Sequence, residues 1–214
     1  MRPIPKPTRS TATASLCVAV LAAPLPASAF TVNITAANPK AIYLQVGVGT
    51  FTGNYSSGGT PGNNSTVNTV SVSVPANAIG SGVAQTMTTN STAANSFYDG
   101  YAFCNAPAQL YIGGFYRNTT NTGAATLTAA SPANLVSPAG DTIPFTQIRW
   151  TSSGNGDTGA QPFPAGTFAG GTQTIGTITR NQWAESCHTF SYRNSNFVAA
   201  GTYTGRVTYT LSTP

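Results

Sequence analysis

The chain is expected to form an all-β antiparallel sandwich, and three observations predict it. Apolar and polar residues alternate with period two in stretch after stretch, most clearly in Ala200–Pro214, where Tyr203, Val207, Tyr209 and Leu211 share one face and Arg206, Thr208 and Thr210 the other. Thr and the aromatics, which favour strands, are abundant, whereas Glu, Lys and Leu, which favour helices, are scarce. Gly, Pro and Asn clusters punctuate the alternating runs at short intervals. No amphipathic helical period longer than two turns interrupts them.

The first residues read as an export signal. Arg2, Lys6 and Arg9 form a positive start, Ala12–Leu25 is apolar, and Ala27-Ser28-Ala29 offers small residues for cleavage after Ala29. The apolar stretch is too short for a membrane span and carries Pro24 and Pro26. The expected organisation is therefore a signal peptide over 1–29 and one sandwich domain over 30–214. The mature protein is placed in the periplasm, at the cell surface or outside the cell, with no membrane span after signal removal.

The formal charge of +5 includes three signal residues. Without them, six scattered cations (Lys40, Arg117, Arg149, Arg180, Arg193, Arg206) face four acids (Asp99, Asp141, Asp157, Glu185). No basic stripe exists to neutralise phosphates, so nucleic acid is excluded as a partner. The apolar residues are too many and too regular for a disordered coil.

Phe30, Val32 and Ile34 open the mature chain as a short strand, broken by Asn38-Pro39. They are the candidate assembly strand: such a segment either pairs inside its own sheet or is lent to a neighbour, where main-chain hydrogen bonds and alternate side chains hold it. Ile42, Leu44, Val46 and Val48 alternate next, then a Gly/Ser/Asn loop over Gly53–Asn64, then Val70, Val72 and Val74. Weaker strands are expected at Val83–Thr89 and Tyr98–Cys104, and clearer ones at Ala108–Arg117, Ala124–Ala129, Ile143–Trp150, Thr172–Thr179, Ser186–Arg193 and Thr202–Leu211. Ser152–Gly171 is expected to be a long Gly- and Pro-rich loop.

The mature chain has two cysteines, Cys104 and Cys187, which an oxidising compartment should join. That bridge would cross Asn118–Gly123, the natural cut between two halves, and so argues for one domain.

Candidate chemistry is sparse. His188, the only histidine, follows Cys187, but neighbours on a strand point to opposite faces and share a proton poorly. No motif pairs the four dispersed acids for glycoside hydrolysis, and with one histidine they are spread too widely to suggest a metal site. Asp157 in Gly154–Gly159 is a single carboxylate where calcium needs several. No catalytic residue, metal ligand or cofactor is expected. Trp150, Trp183 and the tyrosines are either core residues or a sugar-stacking platform.

The pattern G-T-Y-T-G-R-V-T-Y-T-L, Gly201–Leu211, resembles the last strand of secreted β-sandwich subunits in the spore coat protein U-like group, which includes archaic chaperone–usher pilins. The resemblance implies an immunoglobulin-like sandwich, a periplasmic chaperone, an outer-membrane usher, like subunits as partners and a role in fimbria-like fibres for adhesion. The chain departs from the pattern in being longer and in lacking a cysteine near the mature start. The expected function is thus a non-enzymatic structural or adhesive surface protein. The alternative is a secreted carbohydrate-binding, lectin-like domain whose partners are glycans.

Overall fold

The computed structural model describes residues 32–33, 40–52, 60–62, 66–120 and 122–214. Its strands run, in chain order, β1 Val32–Asn33, β2 Ala41–Val46, β3 Phe51–Thr52, β4 Thr60–Pro61, β5 Val70–Ser71, β6 Gln85–Thr86, β7 Thr88–Thr89 and β8 Leu110–Arg117. They continue as β9 Ala125–Ala130, β10 Asn134–Val136, β11 Thr142–Pro144, β12 Ile148–Ser153, β13 Gly166–Thr167, β14 Thr172–Ile178, β15 Gln182–Tyr192 and β16 Thr208–Ser212. Two single 3₁₀ turns, Ala76–Ala78 and Phe145–Gln147, are the only helical pieces among the described residues. The fold is an all-β sandwich of antiparallel sheets. No helix among the described residues is long and apolar enough to cross a membrane.

β15 organises the molecule. It is eleven residues long and pairs with β12 on one side and β8 on the other, inside the order β13-β12-β15-β8-β2. β1 and β6 extend the pairing at its two ends. Strands from before and after Asn118–Gly123 therefore share one sheet. The second sheet has the order β14-β9-β16.

Alternation on β8, β12 and β15 sends one set of side chains between the sheets. Ile112, Tyr116, Ala184, Phe190, Tyr192, Ile148 and Trp150 meet Ala125, Leu127, Ala129, Ile175 and Ile178 from the smaller sheet. Phe145, Phe163 and Phe168 fill the rest. Two glycines permit close approach. A Cβ at Gly114 would strike the Tyr43 carbonyl oxygen, and one at Gly176 would strike the Pro162 carbonyl oxygen and the Phe163 ring. Gly176 follows the bulge in β14, where the register with β9 shifts.

The opposite face of the large sheet is also covered. Tyr43, Tyr111, Phe115, Trp183 and Cys187 form a second cluster with Ala93, Phe103 and Cys104 from the strap that spans 91–105. Burial on both faces is why all eight residues of β8 are buried.

Several boundaries depart from expectation. Val72 and Val74 pack on the core without strand pairing, Tyr98–Cys104 holds only the isolated Asn95–Ala102 bridge, and Val83–Thr89 is reduced to β6 and β7. Ile143–Trp150 is interrupted by the turn at Phe145–Gln147, and the Ser152–Gly171 loop contains β13. The run Thr202–Leu211 forms a ladder only from Thr208, with a single bridge from Thr204 to Val136 before it. The ladder ends the smaller sheet, beside β9.

Val32 pairs opposite Trp183, so at this residue the candidate assembly strand lies within its own sheet. Phe30, Ile34, the signal segment and most of the Gly53–Asn64 loop lie outside the described residues.

Candidate functional site

Glu185, Cys187 and His188 are neighbours in sequence, and alternation separates them. Glu185 and Cys187 face the strap, while His188 faces the space between the sheets.

Glu185 is 7% exposed, and its Oε2 accepts three hydrogen bonds: from Tyr111 Oη at 2.7 Å, Trp183 Nε1 at 2.8 Å and Ser96 Oγ at 2.9 Å. Gly113 lies directly across from it on β8, and a Cβ there would collide with the Tyr111 hydroxyl. Glycine at this position is what lets Tyr111 fold along its own strand to the carboxylate. Burial pushes the Glu185 carboxyl above its ordinary range; the three hydrogen bonds pull the other way, and Asp99 adds a smaller upward push. Nearby, the Arg117 guanidinium sits 4.6 Å above the Phe115 ring.

The expected bridge exists. Cys104 and Cys187 are joined, with Cα atoms 5.5 Å apart, within the range that disulfide geometry requires. It fastens the strap to β15 beside the Ser96–Glu185 bond.

His188 is 1% exposed and stacks on Trp150 at 5.7 Å. Its Nε2 lies 3.0 Å from the Phe163 carbonyl oxygen, which also accepts from Ser152 Oγ at 2.6 Å. A carbonyl only accepts, so Nε2 carries the proton and Nδ1 is a bare lone pair; among the described residues Nδ1 has no partner. Ser186 Oγ in turn accepts from the Phe163 N–H. These three polar side chains hold a loop backbone in the core. His188 has no carboxylate orienter, and the Cys187–His188 nucleophile arrangement does not form. Burial drives the imidazole pKa down to about 4, with the Phe163 bond a smaller opposing effect.

The pH dependence follows with its sign. A histidine that stays neutral when folded but protonates near 6.5 when unfolded contributes stability above pH 6.5 and loses it as pH falls towards 4. The loss is about 3 kcal/mol at 1.36 kcal/mol per unit. Glu185 works oppositely: its raised carboxyl favours the fold when protonated, so acidification offsets part of that loss. Urea unfolding at pH 7, 5.5 and 4 is expected to show the net decline, and His188→Gln should lose the acid-side slope whatever its starting stability.

The tryptophans cannot form a sugar platform as they stand. Trp150 and Trp183 are 5% and 2% exposed, and their ring N–H groups are committed to Pro164 O and Glu185. Among the described residues no three His, Cys, Asp or Glu side chains gather as a metal site. At Asp157 the backbone N–H closes a turn onto the Gly154 carbonyl.

A depression of about 440 Å³ opens where the end of β12 meets the strap. Ala102, Phe103, Cys104, Asn105, Gln109, Ser153, Gly154 and Asn155 line it, and none is titratable once Cys104 is oxidised. Asn155 ties its two walls together, donating from Nδ2 to Ala102 O at 2.7 Å and from its N–H to Phe103 O at 3.0 Å. The sequence pattern held no signal for it, because its walls lie some fifty residues apart and consist of ordinary loop amides.

No family model, curated protein or solved structure matches the chain. Function therefore rests on the geometry of this molecule.

Proposed function

We propose that the protein is an exported, non-enzymatic surface protein that assembles with like subunits through the seam between β2 and β16. The observation that carries this reading is the position and partial burial of those two strands. Among the described residues each ends its sheet, although the Val46 carbonyl of β2 accepts from Asn68 Nδ2, and they pack against one another on the same side of the sandwich. Leu44 and Val46 on β2, and Tyr209 and Leu211 on β16, reach the core yet remain only half-buried. An edge strand offers unpaired N–H and C=O groups to another chain, and half-buried alternate side chains offer that chain apolar contacts.

The signal-like start and the Cys104–Cys187 disulfide support export, since disulfides persist in oxidising compartments. The resemblance of Gly201–Leu211 to pilin-type subunits supports fibre assembly with a chaperone and usher. The low density of charge suits close packing of copies, with little like-charge repulsion to overcome. Size analysis of the native secreted material is the test: a ladder of oligomers is expected, and material that remains monomeric at every concentration would reject assembly.

A further inference from the structure

We propose that the depression between the strap and the end of β12 binds a neutral saccharide. The inference goes beyond the reading above and is independent of whether the protein polymerises.

Saccharide recognition needs amides and hydroxyls aimed at sugar hydroxyls, plus an exposed aromatic face for the sugar's C–H surface. Amides and hydroxyls line the depression, and the aromatic face stands beside it. Among the described residues, the Asn105 side chain makes no hydrogen bond, so its amide keeps two donors and an acceptor for a ligand. Asn155 spends its Nδ2 on Ala102 O, leaving Oδ1 as an acceptor. Ser153 Oγ accepts from Gln109 Nε2 at 2.9 Å, which leaves its own O–H to donate. Gln109 is fully engaged: its Oε1 accepts the Asn105 N–H, and its Nε2 also reaches Thr189 Oγ1, so it fixes the floor instead of binding.

Tyr101 supplies the aromatic face. It is 54% exposed, and its hydroxyl stands over the turn at Gly156, 3.7 Å from where a Cβ there would lie. Phe103, 4% exposed, lies beneath Gly154, where any side chain would strike its ring. The disulfide at Cys104 and the Asn155 bonds hold these walls in place before any ligand arrives, which limits the ordering cost of binding. Charge selects the class. No cation lines the depression, and Asp99 and Asp157 stand on the flanking turns, so an anionic sugar is disfavoured.

The test uses the full mature protein, dispersed as monomer. Methyl β-D-glucopyranoside, methyl α-D-mannopyranoside, methyl β-D-galactopyranoside and N,N′-diacetylchitobiose are titrated by saturation-transfer and backbone-shift NMR. At least one should bind with a Kd below about 10 mM and shift amides within 101–109 and 153–156. Tyr101→Ala and Asn105→Ala, both at exposed positions, should each weaken it about tenfold with an unchanged thermal midpoint. No binding by any of the four, shifts confined to other regions of the wild-type protein, variants that bind as well as wild type, or a preference for sialyllactose would each overturn the proposal. Because the titration is made on the monomer, its failure is distinct from a failure to find oligomers.

Discussion

Replacing Cys104 and Cys187 by alanine is expected to remove about 4–5 kcal/mol of stability. The bridge closes a span of 83 residues, and loop-closure entropy for a loop of that length gives this magnitude. The effect reaches past the unfolded chain. The strap over 91–105 covers Trp183, Phe115 and the Glu185 carboxyl, and the disulfide is its only covalent tie to β15. With the tie gone, the strap is held by its apolar packing on Tyr111 and Trp183, the Ser96–Glu185 bond and the Asn155 contacts at the other end. Urea unfolding of wild type and the double alanine variant measures the difference. A loss below about 1 kcal/mol would mean that packing alone holds the strap.

A comparable loss, about 3–5 kcal/mol, is expected from Asn194→Asp. Asn194 is fully buried with φ of 55°, a backbone region that asparagine tolerates better than most residues. Its Nδ2 donates to Ala78 O at 2.7 Å, Ser81 Oγ at 3.1 Å and Val83 O at 3.4 Å, while Oδ1 accepts the Gly80 N–H. Aspartate keeps the shape and the φ tolerance but sets a carboxylate oxygen against carbonyl oxygens. The loop over 78–83 should then detach from the end of β15, parting Gly80 from the Phe197 ring that rests on it. Asn194→Gly separates the two contributions, because it keeps the backbone freedom and removes the hydrogen bonds. A thermal midpoint of Asn194→Asp equal to wild type would refute the assignment.

The strand-rich class and the disulfide were legible because each leaves a local mark: period-two alternation in the first case, two mature cysteines in the second. β9, buried on one face only, alternates over Ala125–Ala130, one residue on from the expected Ala124–Ala129. The central strand was harder to read. Trp183 and Glu185 face the strap while Ala184 faces the other sheet, so Gln182–Ser186 shows no alternation, and the expected strand began at Ser186 instead of Gln182. Burying a carboxylate under Tyr111, Trp183 and Ser96 depends on contacts as many as 89 residues apart, which no window of sequence contains. Ala200–Pro214 was legible in its alternation, and its last residues do close a sheet, as β16 beside β9. The pattern does not carry where the ladder begins, at Thr208.

The edge of β16 is also where the functional account is tested most directly. Hydrogen exchange at the backbone amides of Thr208–Ser212 should be compared between dispersed monomer and native assembled material. In the monomer, amides turned towards β9 should be protected and those turned outward should exchange quickly. In assembled material, every amide of the strand is expected to be protected, because a neighbouring chain now pairs with the free side. Outward amides that exchange as fast in the assembly as in the monomer would contradict assembly through this edge.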